Sequence, residues 1–401
     1  MPSAAKTVPD LPRELPPLDA AERGHLQLVL AATAEAIAAS GGALPFDRYM
    51  ELVLYGAGVG YYVSGTRKFG RGGDFVTAPE ISPLFGRCLA WQCAEVLERL
   101  NGGEVLEFGA GTGTMAADVL LELESLGRLP ERYRILELSA ELQARQRATL
   151  QSRAPHLADR VSWGVGLPEP GWRGVVLGNE LLDAMPVHRF RIGAAGLEEQ
   201  FVELRDGRLS GTWRAPVSPG LADAVAALQA TVGPWPEGYA SEINLRLLPW
   251  LQAVSACVAA GAVLLVDYGY SRIEYYHPER CDGTLICHFR HRAHADPLLL
   301  PGLQDITANV DFSAVADAGI AAGFDLGGYA TQAYFLLGCG LDALLARHDP
   351  QQLPEYLDLV QGVKQLTLLS AMGERFKVIA LTRNVSGPLR GFALRDLRDR
   401  L

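Results

Sequence analysis

The stretch from Glu104 to Thr114, Glu-Val-Leu-Glu-Phe-Gly-Ala-Gly-Thr-Gly-Thr, constrains this chain more than any other. A short apolar run followed by glycines at 109, 111 and 113 reads as a buried parallel strand that turns sharply into a helix, here over 114–125. Glycine permits positive φ and leaves the main chain bare, so a ligand can approach the backbone at the helix N-terminus. The fold class that follows is α/β, with ligands held at the carboxyl ends of parallel strands.

Spacing narrows the ligand. A dinucleotide fold wants Gly-x-Gly-x-x-Gly, whose third glycine would fall where this chain has Thr114. The observed pattern is Glu-x-Gly-x-Gly-x-Gly. Glu107 would repel a pyrophosphate, but it suits a ligand with a cationic amino-acid end. The pattern resembles motif I of the class I S-adenosylmethionine (SAM) methyltransferases. On that resemblance Glu107, Gly109, Ala110, Gly111, Thr112 and Gly113 are expected to hold SAM. Glu137 ends the next strand, 24 residues beyond Gly113, where a bidentate carboxylate can accept from both ribose hydroxyls, with Leu138 beside it. Trp163, past the third strand, either stacks on adenine or plugs the gap between strand and helix.

The rest of the chain supports a sheet covered on both faces. Strands are expected at 104–109, 133–138, 160–164, 174–178 and 262–267, with helices at 114–125 and 140–152. Five prolines mark residues 1–17 as a loose arm, and helices over 18–40, 46–55 and 83–100 form an N-terminal extension. Short alternating runs between Val187 and Arg214 predict a small antiparallel meander inserted after the fourth strand, followed by a helix over 242–260. A long polar loop begins at 270. Beyond it come a helix near 312–322, a strand near 324–330, helices at 332–346 and 353–371, and a last strand over 376–382. The expected segments are thus 1–100, 101–186, 187–260 and 261–401.

Charge and cysteines exclude some classes. A net charge of −10 argues against nucleic acid, whose phosphates reward a basic face. Six cysteines without a Cys-x-x-Cys pair read as reduced thiols. The N-terminus shows no secretory or Arg-rich transit pattern, and the longest apolar stretch, 26–39, is interrupted by Glu35. A cytoplasmic protein without a membrane span is the expectation. His277, Cys281, Cys287, His288, His291 and His294 crowd one stretch, but their spacing matches no usual zinc scheme, and no metal is assigned.

The fourth strand delivers Asn179, Glu180 and Asp183 to the place where a second substrate should meet the methyl group. The alternative for Asn179 and Asp183 is helix capping. The glycine-rich loop 66–82, with Asp74, Thr77 and Glu80, is expected to close over SAM.

Several blocks together are similar to the MidA-like family. They are Tyr-Tyr-Val-Ser-Gly (61–65), Gly-Gly-Asp-Phe-Val-Thr-Ala-Pro-Glu-Ile-Ser (72–82), residues 106–113, Asn-Glu-Leu-Leu-Asp-Ala-Met-Pro-Val (179–187), Val-Asp-Tyr-Gly (266–269) and His291 to Phe312. The similarity runs from about residue 25 to 385, with Asn309 a departure where the family carries histidine. The family includes a mitochondrial complex I assembly factor that methylates protein arginine. The resemblance implies a class I, Rossmann-like SAM-methyltransferase sheet with an N-terminal helical extension and an insert between strands 4 and 5. It also implies a protein substrate with an accessible arginine, a complex I subunit among the candidates, and symmetric ω-dimethylarginine as product. A homodimer is an open assembly state, and the eukaryotic relatives work in the mitochondrial matrix. On the residues alone, a small-molecule methyltransferase and a non-catalytic assembly factor remain alternatives.

Overall fold

The computed structural model describes residues 15–63, 77–351 and 353–401. The chain divides into two units, each assembled from separated stretches. One draws on Val76–Leu182, Leu247–Ser271 and Val310–Leu401, the other on Met1–Phe75, Asp183–Arg246 and Arg272–Asn309.

The first of these holds the large sheet. Its strands are β1 (Glu104–Phe108), β2 (Tyr133–Leu136), β3 (Val161–Gly164), β4 (Trp172–Asn179), β5 (Val258–Tyr270), β6 (Asp325–Thr331) and β7 (Phe376–Arg383). Across the sheet they run β3-β2-β1-β4-β5-β7-β6. The first five are parallel, whereas β7 lies antiparallel to both β5 and β6. The strand order reverses between β1 and β4, which opens a crevice at their carboxyl ends. This is the arrangement that the family resemblance implies, with the glycine run at the carboxyl end of a central parallel strand.

Helices cover the sheet. In α1 (Pro83–Arg99), Pro83 fills the first helical position and the Ser82 hydroxyl accepts from the Leu84 N–H at 3.3 Å. Helix α2 (Thr114–Ser125) buries Met115, Val119, Leu120 and Leu123, and α3 (Ala140–Arg153) buries Leu142, Gln146 and Leu150. Met115, Val119, Leu120, Leu123 and Leu150 join Val105, Val175, Leu264 and Val378 in one core. Each fully buried Val or Leu there is worth roughly 1.5–3 kcal/mol.

The other unit carries a five-stranded antiparallel sheet. Ala43–Pro45, Gly196–Arg205, His188–Gly193 and Ala240–Ile243 follow one another, and Arg208–Arg214 pairs with Gly196–Arg205. Its helix Ala20–Ala39 starts on a reciprocal capping box between Asp19 and Glu22, with bonds of 2.9 and 2.8 Å.

Several boundaries differ from expectation. The helix predicted over 242–260 is shorter, Leu247–Cys257, because Ala240–Ile243 is claimed as a strand by His188–Gly193. Past Cys257 the chain is already β5, which at 13 residues extends well beyond the predicted 262–267. The single helix predicted over 332–346 breaks at Gly340, whose φ of 82° ends one turn and starts the next. The polar stretch after 270 is not simply a loop, since Ile286–Phe289 pairs with both Arg292–His294 and Asp305–Thr307. Among the described residues no helix is long and apolar enough to cross a membrane.

Candidate active site

The glycine run folds as its spacing demands. Gly109, Gly111 and Gly113 have φ of 59°, 52° and 82°. A Cβ on Gly111 would meet no heavy atom of the described residues within 4 Å, so the main chain there is open toward them. Gly113 caps α2, and a Cβ on it would come within 3.0 Å of Gln146 Cα. The first position leaves room against the main chain; the second serves helix packing. Ala110 is buried beside them.

Gln146 ties the cradle together, and sequence reasoning missed it. Its amide Nε2 donates to Gly111 O at 3.1 Å and to Glu137 Oε2 at 3.0 Å. Its Oε1 accepts from the Trp163 indole at 2.8 Å. Three expected cofactor positions thus hang on one buried glutamine. The available signal was a polar residue at the middle of the 142, 146, 150 stripe that α3 buries. Glu137 Oε1 also accepts from Ser139 N at 2.9 Å, which fixes its carboxylate at the end of β2. Leu138 next to it is 61% exposed, a bare apolar side chain at the mouth of the crevice. The Arg147 guanidinium lies 3.8 Å over the Trp163 ring, so one indole face is occupied by the chain itself.

Glu80 meets the loop from the other side. Its carboxylate accepts from the Thr112 hydroxyl and, at 3.3 Å, from Thr114. It sits in the short helix Ala78–Ile81, for which Thr77 is the N-terminal residue without a side-chain capping bond. Asp74 and most of the expected closing loop lie outside the described residues.

Glu107 is the deepest of the expected cofactor residues, at 1% exposure. One of its oxygens is committed to the Tyr133 hydroxyl at 2.6 Å. Burial pushes its pKa up to about 7; the Tyr133 bond opposes that rise and the Glu137 charge adds to it.

At the end of β4 the backbone leaves the sheet through a strained turn. Glu180 has φ of 50°, uncommon for a residue with a side chain, and its N–H donates to Val266 O at 2.9 Å. The turn is held by Asp267, fully buried, which accepts from Leu181 N at 3.1 Å, Leu182 N at 2.8 Å and Tyr268 N at 2.9 Å. Asp267 belongs to the Val-Asp-Tyr-Gly block, and no role had been read from it. Asn179 donates to Glu180 Oε1 at 3.2 Å, while its own buried Oδ1 has no hydrogen-bond partner among the described residues. Residues 180–187 form bends and turns without a helix, so Asn179 and Asp183 cap nothing.

The boundary between the units passes between Leu182 and Asp183. In its own unit Asp183 is 4% exposed, and its carbonyl accepts from Ala308 N at 3.0 Å. Tyr55 donates to Ala184 O at 2.9 Å and Tyr62 to Asp305 Oδ1 at 2.8 Å, with the two rings stacked 5.4 Å apart. Burial, then the charges of Asp305, Tyr55 and Asp183, hold the Tyr62 hydroxyl well above its usual pKa, so it stays a donor. Tyr62 and Asp305 fall in the similar blocks, but nothing in their spacing announced the pairing.

A bare loop, a fixed carboxylate at the end of the next strand, an indole and an exposed leucine fit an adenosyl ligand with an amino-acid tail. Known proteins agree. Residues 88–330 match the family described as "Putative S-adenosyl-L-methionine-dependent methyltransferase". A COG1565 superfamily member from Burkholderia thailandensis, crystallised with S-adenosyl-homocysteine, superposes with a TM-score of 0.92 at 44% identity, over 97% of this chain and 100% of that one. The human mitochondrial protein arginine methyltransferase NDUFAF7 is 29% identical, over 85% of this chain and 80% of its own length. Its Drosophila melanogaster homologue is also 29% identical, over 92% and 88%. SAM is the cofactor, and the chain belongs to this family of S-adenosyl-L-methionine-dependent methyltransferases.

Proposed function

We propose that the protein methylates arginine side chains of a protein substrate, with symmetric ω-dimethylarginine as product and a respiratory complex I subunit, or an equivalent protein, as the acceptor. The observation that carries this reading is Asn179 Oδ1. It is an acceptor with no donor, buried at the strand end where the methyl group must be received, beside the Glu180 carboxylate. A guanidinium is a planar set of N–H donors and can satisfy both. The names of the similar human and fly enzymes point the same way.

In this reading Gly109 to Gly113, Thr112, Glu137, Leu138 and Trp163 hold the adenosine part. Glu107, Glu80, Thr77 and Asp74 serve the amino-acid end and its closure. SAM supplies a methyl group on a positively charged sulfonium. The chain must position the acceptor nitrogen in line with it and dispose of one proton. Arginine keeps its proton at any ordinary pH, so carboxylates must draw charge toward the far nitrogens of the guanidinium. Glu180 and Asp183 do this, while Asn179 Oδ1 accepts from the attacking nitrogen and fixes its lone pair toward the methyl carbon. On transfer, the attacking nitrogen would gain the methyl group, and a proton would pass to the Glu180 carboxylate from the guanidinium nitrogen that it holds.

The test is to incubate the enzyme with radiolabelled SAM and lysate of cells lacking it, then hydrolyse the protein fraction and resolve the methylated arginines. Label in symmetric dimethylarginine of one protein supports the reading. Label in small molecules alone would make the acceptor a metabolite, and no label above a Glu180→Gln control would leave a non-catalytic role.

A further inference from the structure

In the unit without the glycine loop, three ionisable side chains from three elements meet in the interior. Asp47 comes from the helix Phe46–Tyr55, His188 opens the strand His188–Gly193, and Glu199 lies in the next strand. None is more than 8% exposed. One ligand atom of each lies within 4.8 Å of the others, the one such group of three or more among the described residues. His188 Nδ1 is 3.6 Å from Asp47 Oδ1 and 3.5 Å from Glu199 Oε1. Among the described residues, neither His188 Nδ1 nor Asp47 Oδ1 has a hydrogen-bond partner.

We propose that Asp47, His188 and Glu199 bind a first-row divalent cation, Zn2+ by chemical preference, through His188 Nδ1, Asp47 Oδ1 and Glu199 Oε1. Metal–ligand bonds of about 2.0–2.2 Å at near-tetrahedral angles put neighbouring ligand atoms roughly 3.4 Å apart, close to both distances from His188 Nδ1. Mixed imidazole and carboxylate donors suit that cation, and a water completes the fourth position.

The competing account is a protonated His188 lying between two carboxylates. It explains less. Nδ1 carries one N–H and can satisfy one carboxylate, and a charge-assisted bond closes to about 2.7–2.9 Å, shorter than either contact. A cation accounts for all three facing atoms at once.

The surroundings orient the ligands. Asp47 Oδ2 faces Arg246 at 3.1 Å and Arg48 at 3.7 Å, which turns Oδ1 toward His188. Glu199 Oε2 accepts from Val217 N at 2.8 Å and Ser218 N at 3.0 Å, and Oε1 from the Ser218 hydroxyl at 2.5 Å. These bonds fix Glu199 in the interior with Oε1 toward His188, and a dication there would offset the charge of two buried carboxylates. The metal would pin the helix Phe46–Tyr55 to the two adjacent strands, a structural role separate from methyl transfer.

The test uses the whole protein, stripped with chelator and equilibrated with Zn2+ buffered at micromolar free concentration. One equivalent is expected by elemental analysis, with a rise in Tm. His188→Gln and Glu199→Gln should each lose at least about tenfold in Zn2+ affinity. His277→Gln, in the cysteine- and histidine-rich stretch, should lose none. X-ray absorption of the zinc-loaded parent needs no variant, and should show a nitrogen and oxygen shell without sulfur. No uptake by the parent, a sulfur-containing shell, or unchanged affinity in both folded site variants would each overturn the proposal.

Discussion

The ends of β1 and β2 and the end of β4 are built in opposite ways. At β1 and β2 the cofactor cradle is closed on itself. Gln146 satisfies Gly111, Glu137 and Trp163, and Glu80 satisfies Thr112 and Thr114. At the end of β4 the backbone is pinned equally hard, by Asp267, yet Asn179 Oδ1 is left without a donor and Glu180 is held at positive φ. On the function proposed above, the cradle would bind the same cofactor in every turnover, so preorganisation would cost it nothing, whereas the end of β4 would keep its polar capacity for a partner that supplies the missing donors.

The largest effect should come from filling the cradle. Gly111→Val puts a branched side chain at φ 52° into the space left for the ligand. SAM affinity should fall by at least about a hundredfold, beyond the roughly 1–2 kcal/mol of backbone strain that the left-handed region imposes. Calorimetry on a variant shown to be folded would settle it, and unchanged affinity would remove the loop from the cofactor site.

The acceptor end should break differently. On the function proposed above, Glu180→Gln would replace a charge-assisted bond to the acceptor by a neutral one, and should slow single-turnover transfer by about thirty- to a hundredfold, corresponding to roughly 2–3 kcal/mol. SAM affinity should hardly move. A parallel fall in both quantities would mean that the two strand ends are one binding surface, and the contrast drawn between them would fail.

Gln146→Leu sharpens the other side of the comparison. It keeps the shape of α3 but strands Gly111 O, Glu137 and the Trp163 indole. SAM affinity should drop about tenfold, in line with the loss of hydrogen bonds worth roughly 1 kcal/mol each. Transfer from saturated enzyme should stay near the parent rate, measured by varying SAM in the same assay.

What could be read from the chain follows the same division. The cradle was legible because its signals are local, with glycines on alternate positions and a carboxylate one strand later. Gln146 was hidden because a glutamine in a helix reads as surface until its neighbours Leu142 and Leu150 are seen to be buried. Residues 240–243 read as the start of a helix, since only the distant strand His188–Gly193 makes them a strand. The regrouping of the chain into two interleaved units, and the meeting of Tyr62 with Asp305 or Asp47 with His188, depend on long-range pairing that no window of sequence contains.

The smallest functional effect, and the finest test of how closed the cradle is, concerns Glu107. Its pKa is raised from the ordinary carboxylate range to about 7, chiefly by burial, so the folded protein favours the neutral acid more than the unfolded chain does. The stabilising contribution is therefore fully present below about pH 4.5 and is lost as pH rises through 7. Glu107→Gln cannot ionise, and its amide oxygen still accepts from Tyr133. Its stability relative to the parent should increase from pH 5 to pH 8, by on the order of 3 kcal/mol in total, and level off on either side. Denaturant melts of both proteins across that range measure it, and parallel curves would show that Glu107 titrates as an ordinary carboxylate. SAM binding supplies the second readout. If Glu107 works from behind the loop through its charge, the variant should bind SAM only a few-fold more weakly above pH 7 and equally well below it. A large loss at every pH would instead make Glu107 a direct ligand of the cofactor, and the cradle would have unspent polar capacity of its own.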